Sequence, residues 1–323
     1  MFPAKENLTI CFAHVAYRMN DRFELRKTGI RTIEVRAYDD LVKRIGEADV
    51  LLASGMWKND LIPHAGKLKF IQSISSGMDQ YSKEQLGAKG IRLASAAGVN
   101  ARAVAEHAIA LILALYRRLP EARDNQHKKM WRGMLGDLTQ REDELGGKTL
   151  LIVGMGRIGS HLALLAKAFG MKVIGIRRDP AQGENGADSI YGMGELVRLA
   201  PQADIVALTC ALTPETTGLM SAAAFKAMKP SSVFVNVARG KVADEAALID
   251  TMKNNRIWAA GIDVTAEEPL PAASPLWTLP NVFVTPHTAG ETRAYEDNVL
   301  DILMENLERL WRDEKASLRN QVL

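Results

Sequence analysis

An α/β protein with two parallel sheets is the fold class that three observations predict. Short apolar, β-rich runs alternate with charged, helix-periodic stretches along most of the chain, the pattern in which crossover helices join parallel strands. The alternation stops once, at the polar stretch EARDNQHKKMWRGMLGDLTQREDELGGK, and then starts again. At 323 residues and 47% apolar composition, the chain has material for two cores.

LTICFAH, DVLLAS at 49–54 and KFIQSIS at 69–75 open the series as strands. The periodicity then predicts one long helix over 99–119, VNARAVAEHAIALILALYRRL, stopped by Pro120. Beyond the polar stretch come TLLIVG, MKVIGIR, ADIVALT, SSVFVNVA, WAAGIDV and VFVTPH, six buried strands separated by helical segments. Together they make one complete doubly wound sheet. The run 289–311 is helical again and is positioned to return to the first domain. Two crossings are therefore expected, with residues 1–98 and 289–323 forming one domain and 99–288 the other.

Composition narrows the function. Net charge is +3, with 41 basic residues interspersed among 38 acids. That balance argues against nucleic acid or a membrane surface and for a small-molecule partner. The apolar run AIALILALY at 108–116 is about half of what a bilayer crossing needs and reads as a buried helix. An acid at Glu6 and no apolar leader argue against a signal peptide, and Cys11 and Cys210 are too few for a disulfide framework. A reducing cytoplasm is the expected location.

The turn VGMGRIG carries the first chemistry. Gly154, Gly156 and Gly159 have the GxGxxG spacing between the strand TLLIV and the helix opened by Arg157 and Ile158. The first glycine permits the tight turn, the second lets backbone approach a pyrophosphate, and the third lets helix pack on strand. Backbone N–H groups at the helix start then face the phosphates. A Rossmann-type dinucleotide site is expected.

The segments GMGRIG, LTPETTGLM, VFVNVARGKVADEAAL, GIDVTAEEPLPAASPLW and NVFVTPHTAG, in this order and at this spacing, resemble the D-isomer-specific 2-hydroxyacid dehydrogenases. Glyoxylate and hydroxypyruvate reductases, glycerate dehydrogenase and phosphoglycerate dehydrogenase belong to that family. The resemblance runs across nearly the whole chain. It implies a Rossmann dinucleotide-binding domain inserted into a flavodoxin-like substrate domain, and a homodimer with the helix 99–119 at its centre.

Carried over position by position, the resemblance makes Arg239 the substrate-binding arginine, Glu268 the partner of the catalytic histidine and His287 the acid/base. The chemistry suits each type. A planar guanidinium offers two parallel donors to a carboxylate and polarises a ketone, imidazole exchanges protons near working pH, and a carboxylate beside the ring orients it and favours its protonated form. Glu268, not its neighbour Glu267, directly precedes Pro269 as the family glutamate does. Asp263 is implied as acceptor for the nicotinamide carboxamide, with Thr209 and Ala238 also at the cofactor. In SISSGMDQ, Ser76 and Gly77 are implied to offer N–H groups to the substrate carboxylate. Met56 and Trp57 could wall the substrate pocket or simply pack, while Asn100, Glu106 and His107 read as interdomain and packing residues.

Some positions depart from the family pattern. Thr265 follows Val264 where an aromatic is common, Ala101 replaces a small hydroxyl residue, and Thr209 and Ala211 replace the commoner His and Pro. These bear on substrate shape and cofactor fit, not on the reaction. Glutamate at 268, where formate dehydrogenases have glutamine, argues against formate.

The cofactor preference follows from the end of MKVIGIRR. An NAD-selective turn ends this strand in an acid that accepts a hydrogen bond from the ribose 2′-OH. In the family's spacing that acid stands 18 positions after the third glycine, where this chain has Arg177 followed by Arg178. Two guanidinium groups suit a 2′-phosphate, so NADP is the expected cofactor, with NAD possible. Asp179 precedes Pro180 and reads as the start of the next turn. The reading is a reductase of small 2-keto acids such as glyoxylate or hydroxypyruvate. The alternative is a nucleotide-sensing, corepressor-like binding protein of the same fold, against which the joint presence of Arg239, Glu268 and His287 weighs.

Overall fold

The computed structural model describes residues 2–323. The chain divides into two compact units, one running through Asn100 and resuming over Thr292–Leu323, the other spanning Ala101–Glu291.

The first unit holds a five-stranded parallel sheet, β1 (Thr9–Ala13), β2 (Arg31–Val35), β3 (Val50–Ala53), β4 (Phe70–Ser73) and β5 (Arg92–Ala94), in the order β2-β1-β3-β4-β5. The runs read from sequence became β1, β3 and β4, each buried at every position. Parallel strands covered on both faces read as continuous apolar runs. β2 and β5 escaped that reading because RTIEV is an edge strand with alternating exposure and RLA has only three residues. The helix Tyr295–Arg312 lays Val299, Leu300, Leu303 and Leu307 into the core with Ile10, Phe12, Val50 and Leu52. Its buried Asn306 donates to the Oε1 of the equally buried Gln72 at 2.9 Å, so neither amide is left unpaired.

The second unit holds seven parallel strands: β6 (Thr149–Val153), β7 (Lys172–Ile176), β8 (Ser189–Tyr191), β9 (Ile205–Leu208), β10 (Val233–Asn236), β11 (Ala259–Ile262) and β12 (Val282–Val284), in the order β12-β11-β10-β9-β6-β7-β8. Six of them are the six expected strands, and the seventh, β8, is a three-residue, half-buried edge. The order reverses at β6, where β7 and β9 flank it. In open α/β sheets ligands bind outside the carboxyl ends of the strands at such a switch point.

The expected single helix over 99–119 is two. One spans Ala101–Tyr116, and after Arg118 in the left-handed region (φ 50°) a second spans Leu119–His127. Pro120 sits in the first turn of that second helix and begins it instead of ending the first. Proline lacks an N–H that the first turn does not need. The run AIALILALY is spent inside its own unit: Leu111, Ile112 and Leu115 join the core of Leu150, Ile152, Val233 and Val235. The apolar character of this helix is thus explained by packing within its own unit, as a buried helix was expected to pack. No helix among the described residues is long and apolar enough to cross a membrane.

Candidate active site

The site residues expected in this unit follow the carboxyl ends of six of its strands, β6, β7, β9, β10, β11 and β12, on the connecting loops or in the first turn of the helix Arg157–Ala168. After β6 the chain turns through Gly154 at φ 111°, where a Cβ would stand 2.4 Å from the amide nitrogen of Cys210. A Cβ on Gly159 would stand 2.3 Å from the Gly154 carbonyl oxygen. Both glycines are therefore required by the protein's own backbone. Gly156 is different: its backbone is extended and a Cβ there would meet nothing within 4 Å. The space over Gly156 is open at the start of the helix Arg157–Ala168, where Ile158 and Gly159 lie in the first turn, whose N–H groups have no partner within the helix. That cradle fits a dinucleotide pyrophosphate.

Thr209, which follows β9, donates its hydroxyl to the Gly154 carbonyl at 2.8 Å and is buried. It shapes the glycine turn from behind. Cys210 beside it is held as a thiol, since burial pushes its pKa up to about 11.

After β10, the buried Asn236 accepts from the Ala238 N–H at 3.0 Å and donates to the Arg239 carbonyl at 3.1 Å, fixing the turn that presents Arg239. The guanidinium is half-buried and donates to the Ala238 carbonyl at 2.7 Å. It forms no ion pair among the described residues, which leaves its charge for an anion. Gly240 follows, and a Cβ there would lie 1.9 Å from the carbonyl carbon of Thr265. Two backbones touch at this point. The Thr265 N–H donates to Glu268 Oε1 at 3.1 Å, and Glu268 Oε2 accepts from His287 Nδ1 at 2.6 Å. Arg239, Glu268 and His287 thus sit on one continuous chain of backbone contact and hydrogen bonds.

Because an ionised carboxylate only accepts, the imidazole donates through Nδ1–H and leaves Nε2 for a substrate. Glu268, not Glu267, makes this bond. His287 itself has φ 55°, a left-handed conformation costing roughly 1–2 kcal/mol for a residue with a Cβ. The surroundings offset that cost, since the His287 N–H donates to the Asp263 carbonyl at 2.8 Å. The buried Asp263 carboxylate accepts from the N–H groups of Thr288 at 3.0 Å and Ala289 at 2.9 Å, and from the Thr285 hydroxyl at 2.6 Å. The sequence offered Asp263 for the carboxamide; the structure uses most of its accepting capacity to hold the histidine turn.

In the first unit, Ser76 is exposed and Gly77 half-buried in the loop after β4. No acceptor among the described residues takes the N–H of either. Ser75 secures the loop, sharing a 2.7 Å hydrogen bond with Ser54 and donating to the Gly77 carbonyl at 2.9 Å. Met56 and Trp57 are core residues, with Trp57 stacked on Tyr81 and bonded to Asn59. Of the two possibilities left open for them, packing is what their burial supports. Sequence reasoning missed Asn236, Gly240 and Thr285 as parts of the site. Gly240 beside Arg239 was the readable signal, since a glycine after a strand-end arginine marks a close backbone approach.

Gly240→Ala is expected to cost about 1–3 kcal/mol, because the methyl group meets backbone that must shift. Denaturant unfolding measures this, and a variant as stable as the parent would contradict the close approach.

The family model described as D-isomer specific 2-hydroxyacid dehydrogenase, NAD binding domain, matches residues 109–289. The chain is 35% identical over 287 residues to a D-3-phosphoglycerate dehydrogenase of Methanocaldococcus jannaschii, covering 86% of this chain but 52% of that protein, so it spans about half that relative's length. It is 34% identical over 293 residues to a glyoxylate/hydroxypyruvate reductase B of Escherichia fergusonii, covering 90% of this chain and 89% of the relative. Among solved structures it resembles an NADPH-dependent glyoxylate/hydroxypyruvate reductase of Sinorhizobium meliloti in complex with citrate, with TM-score 0.81 and 25% identity over 98% of this chain and 97% of the other. With the cradle around Gly156 and the sequence match extending through the turn that bears His287, the chain belongs to the D-isomer specific 2-hydroxyacid dehydrogenase family.

Proposed function

We propose that the protein reduces small 2-keto acids to D-2-hydroxy acids, with glyoxylate and hydroxypyruvate as substrates and NADPH as the preferred reductant. One observation carries the reading: the Glu268–His287 pair is joined through Thr265 and Gly240 to Arg239, which has no ion-pair partner among the described residues. The second unit binds the dinucleotide through Gly154, Gly156, Arg157, Ile158 and Gly159, with Thr209, Ala238 and Asp263 around it and Arg177 and Arg178 at the adenosine end. The first unit binds the substrate, whose carboxylate takes the N–H groups of Ser76 and Gly77. When bound, the reduced nicotinamide supplies a hydride to the keto carbon. Arg239 holds the carboxylate and draws electron density toward the ketone oxygen. His287 delivers a proton from Nε2 to that oxygen as its charge develops, and Glu268 keeps the ring oriented and stabilises the imidazolium.

Turnover assays with both cofactors and a panel of keto acids test this. Glyoxylate or hydroxypyruvate should give the highest kcat/KM, and nucleotide binding with no turnover on any keto acid would leave the corepressor-like reading instead. Two free cysteines support a reducing compartment. We also propose a homodimer. Its support moves from the buried helix to the segment after it, where Trp131, Met134 and Leu138 are largely or fully exposed, since apolar side chains grouped in this way mark an interaction surface. Light scattering at micromolar concentration should give twice the chain mass of 35.4 kDa, and a monomer would refute the assembly.

A further inference from the structure

We infer that His107 is a positioning residue for the reaction, acting on His287 through Thr285 and Asp263, and this rests on the function proposed above. His107 lies on the helix Ala101–Tyr116, far from the motif loops in sequence. Its Nε2 stands 2.9 Å from the Thr285 hydroxyl oxygen. That hydroxyl stands 2.6 Å from Asp263 Oδ1. An ionised carboxylate has no proton to give, so Thr285 donates to Asp263 and must accept from His107. The tautomer of His107 is thereby fixed with its proton on Nε2.

The chain of bonds ends where it matters. Asp263 Oδ1 also accepts the Thr288 N–H at 3.0 Å, and Oδ2 accepts the Ala289 N–H at 2.9 Å. Thr285 and Thr288 thus flank the left-handed His287 and are tied to one buried oxygen. A threonine hydroxyl can rotate toward several acceptors; with a donor fixed on its other side it points at Asp263 and stays there. The helix thereby sets the angle at which the turn presents the imidazole to Glu268. The Arg102–Glu106 pair on the same helix is a separate surface contact.

The test uses His107→Ala, Thr285→Val, their double variant and the conservative His107→Gln and Thr285→Ser. Each single disruptive variant should lower kcat about tenfold while KM for glyoxylate and the Kd for NADPH stay within about twofold. The double variant should be no worse than either single one, because the two side chains act as one unit, and Gln and Ser should restore most of kcat. A kcat within twofold of the parent in both single variants, additive losses, or a rise in KM alone would overturn the assignment. In the cofactor-free protein, the ring signals of His287 in 1H–15N spectra should shift in His107→Ala and Thr285→Val; superimposable signals would overturn it independently of activity. A parent protein that reduces no keto acid sinks the proposed function, while the spectra still decide the role of His107.

Discussion

His287→Ala is expected to lose roughly 100- to 10,000-fold in kcat for ketone reduction, the usual range for a general acid, while NADPH binding stays within about twofold. The split follows from where the side chain sits. His287 lies on the turn after β12, bonded through Nδ1 to Glu268, whereas the pyrophosphate cradle is the turn after β6. Removing the imidazole takes away the proposed proton donor and leaves the glycine turn untouched. It also leaves Thr288 and Ala289 tied to Asp263, so the fold of the turn survives. Alanine still has a Cβ and gains nothing in the left-handed conformation, so the variant's stability should be close to the parent's. Rates measured at saturating NADPH, with cofactor Kd from fluorescence, separate the two effects. Reduction of glyoxylate within about threefold of the parent would show that the proton comes from elsewhere.

The second large effect is on cofactor choice. The parent should favour NADPH over NADH by at least about tenfold in kcat/KM, roughly 1.4 kcal/mol, which one charge-assisted contact can supply. The two arginines differ in their surroundings. Arg177 donates from Nη1 to the Gly183 carbonyl at 3.2 Å and from Nη2 to the Gln182 side chain, so its fork anchors the loop that follows β7. Arg178 is exposed and makes no hydrogen bond or ion pair among the described residues. Asp179 caps the next turn, accepting the Ala181 N–H at 3.1 Å. Arg177→Asp deletes a cation and introduces an acceptor for that hydroxyl. It should reverse the preference, a swing of about a hundredfold or ~2.8 kcal/mol. Equal efficiencies in the parent with the two cofactors, at one salt concentration, would mean that neither arginine reads the phosphate.

Much of this was legible in the chain. Nine of the twelve strands among the described residues stand out, most of them because parallel strands covered on both faces must be apolar along their whole length. The three missed, β2, β5 and β8, lie at sheet edges or have three residues, where that requirement lapses. The glycine spacing was legible as a motif between a strand and a helix, but its steric reasons differ: a Cβ on Gly159 would meet the Gly154 carbonyl oxygen at 2.3 Å within the turn, one on Gly154 would meet the distant Cys210 at 2.4 Å, and one on Gly156 would meet nothing in the chain within 4 Å. The motif around Arg239, Glu268 and His287 was legible through the resemblance, which rests on segments that keep their order and spacing along the chain.

What the sequence determined, then, is local: which segments are strands, where the chain must turn on glycine, and which chemical groups stand at strand ends. Tertiary structure alone decided the partners. It buried AIALILALY against the strands of its own unit, placed Met56 and Trp57 in a core, and tied Arg177 to its own loop. It also carried the carboxylate of Asp263 to the turn that holds His287, and His107 to Thr285 across 178 positions of chain. The physical reason is that periodicity records only that a face is buried or a group is polar. Which side chain answers a given donor is set by distances of about 3 Å between elements, and these exist only once the sheet has fixed the order and register of its strands.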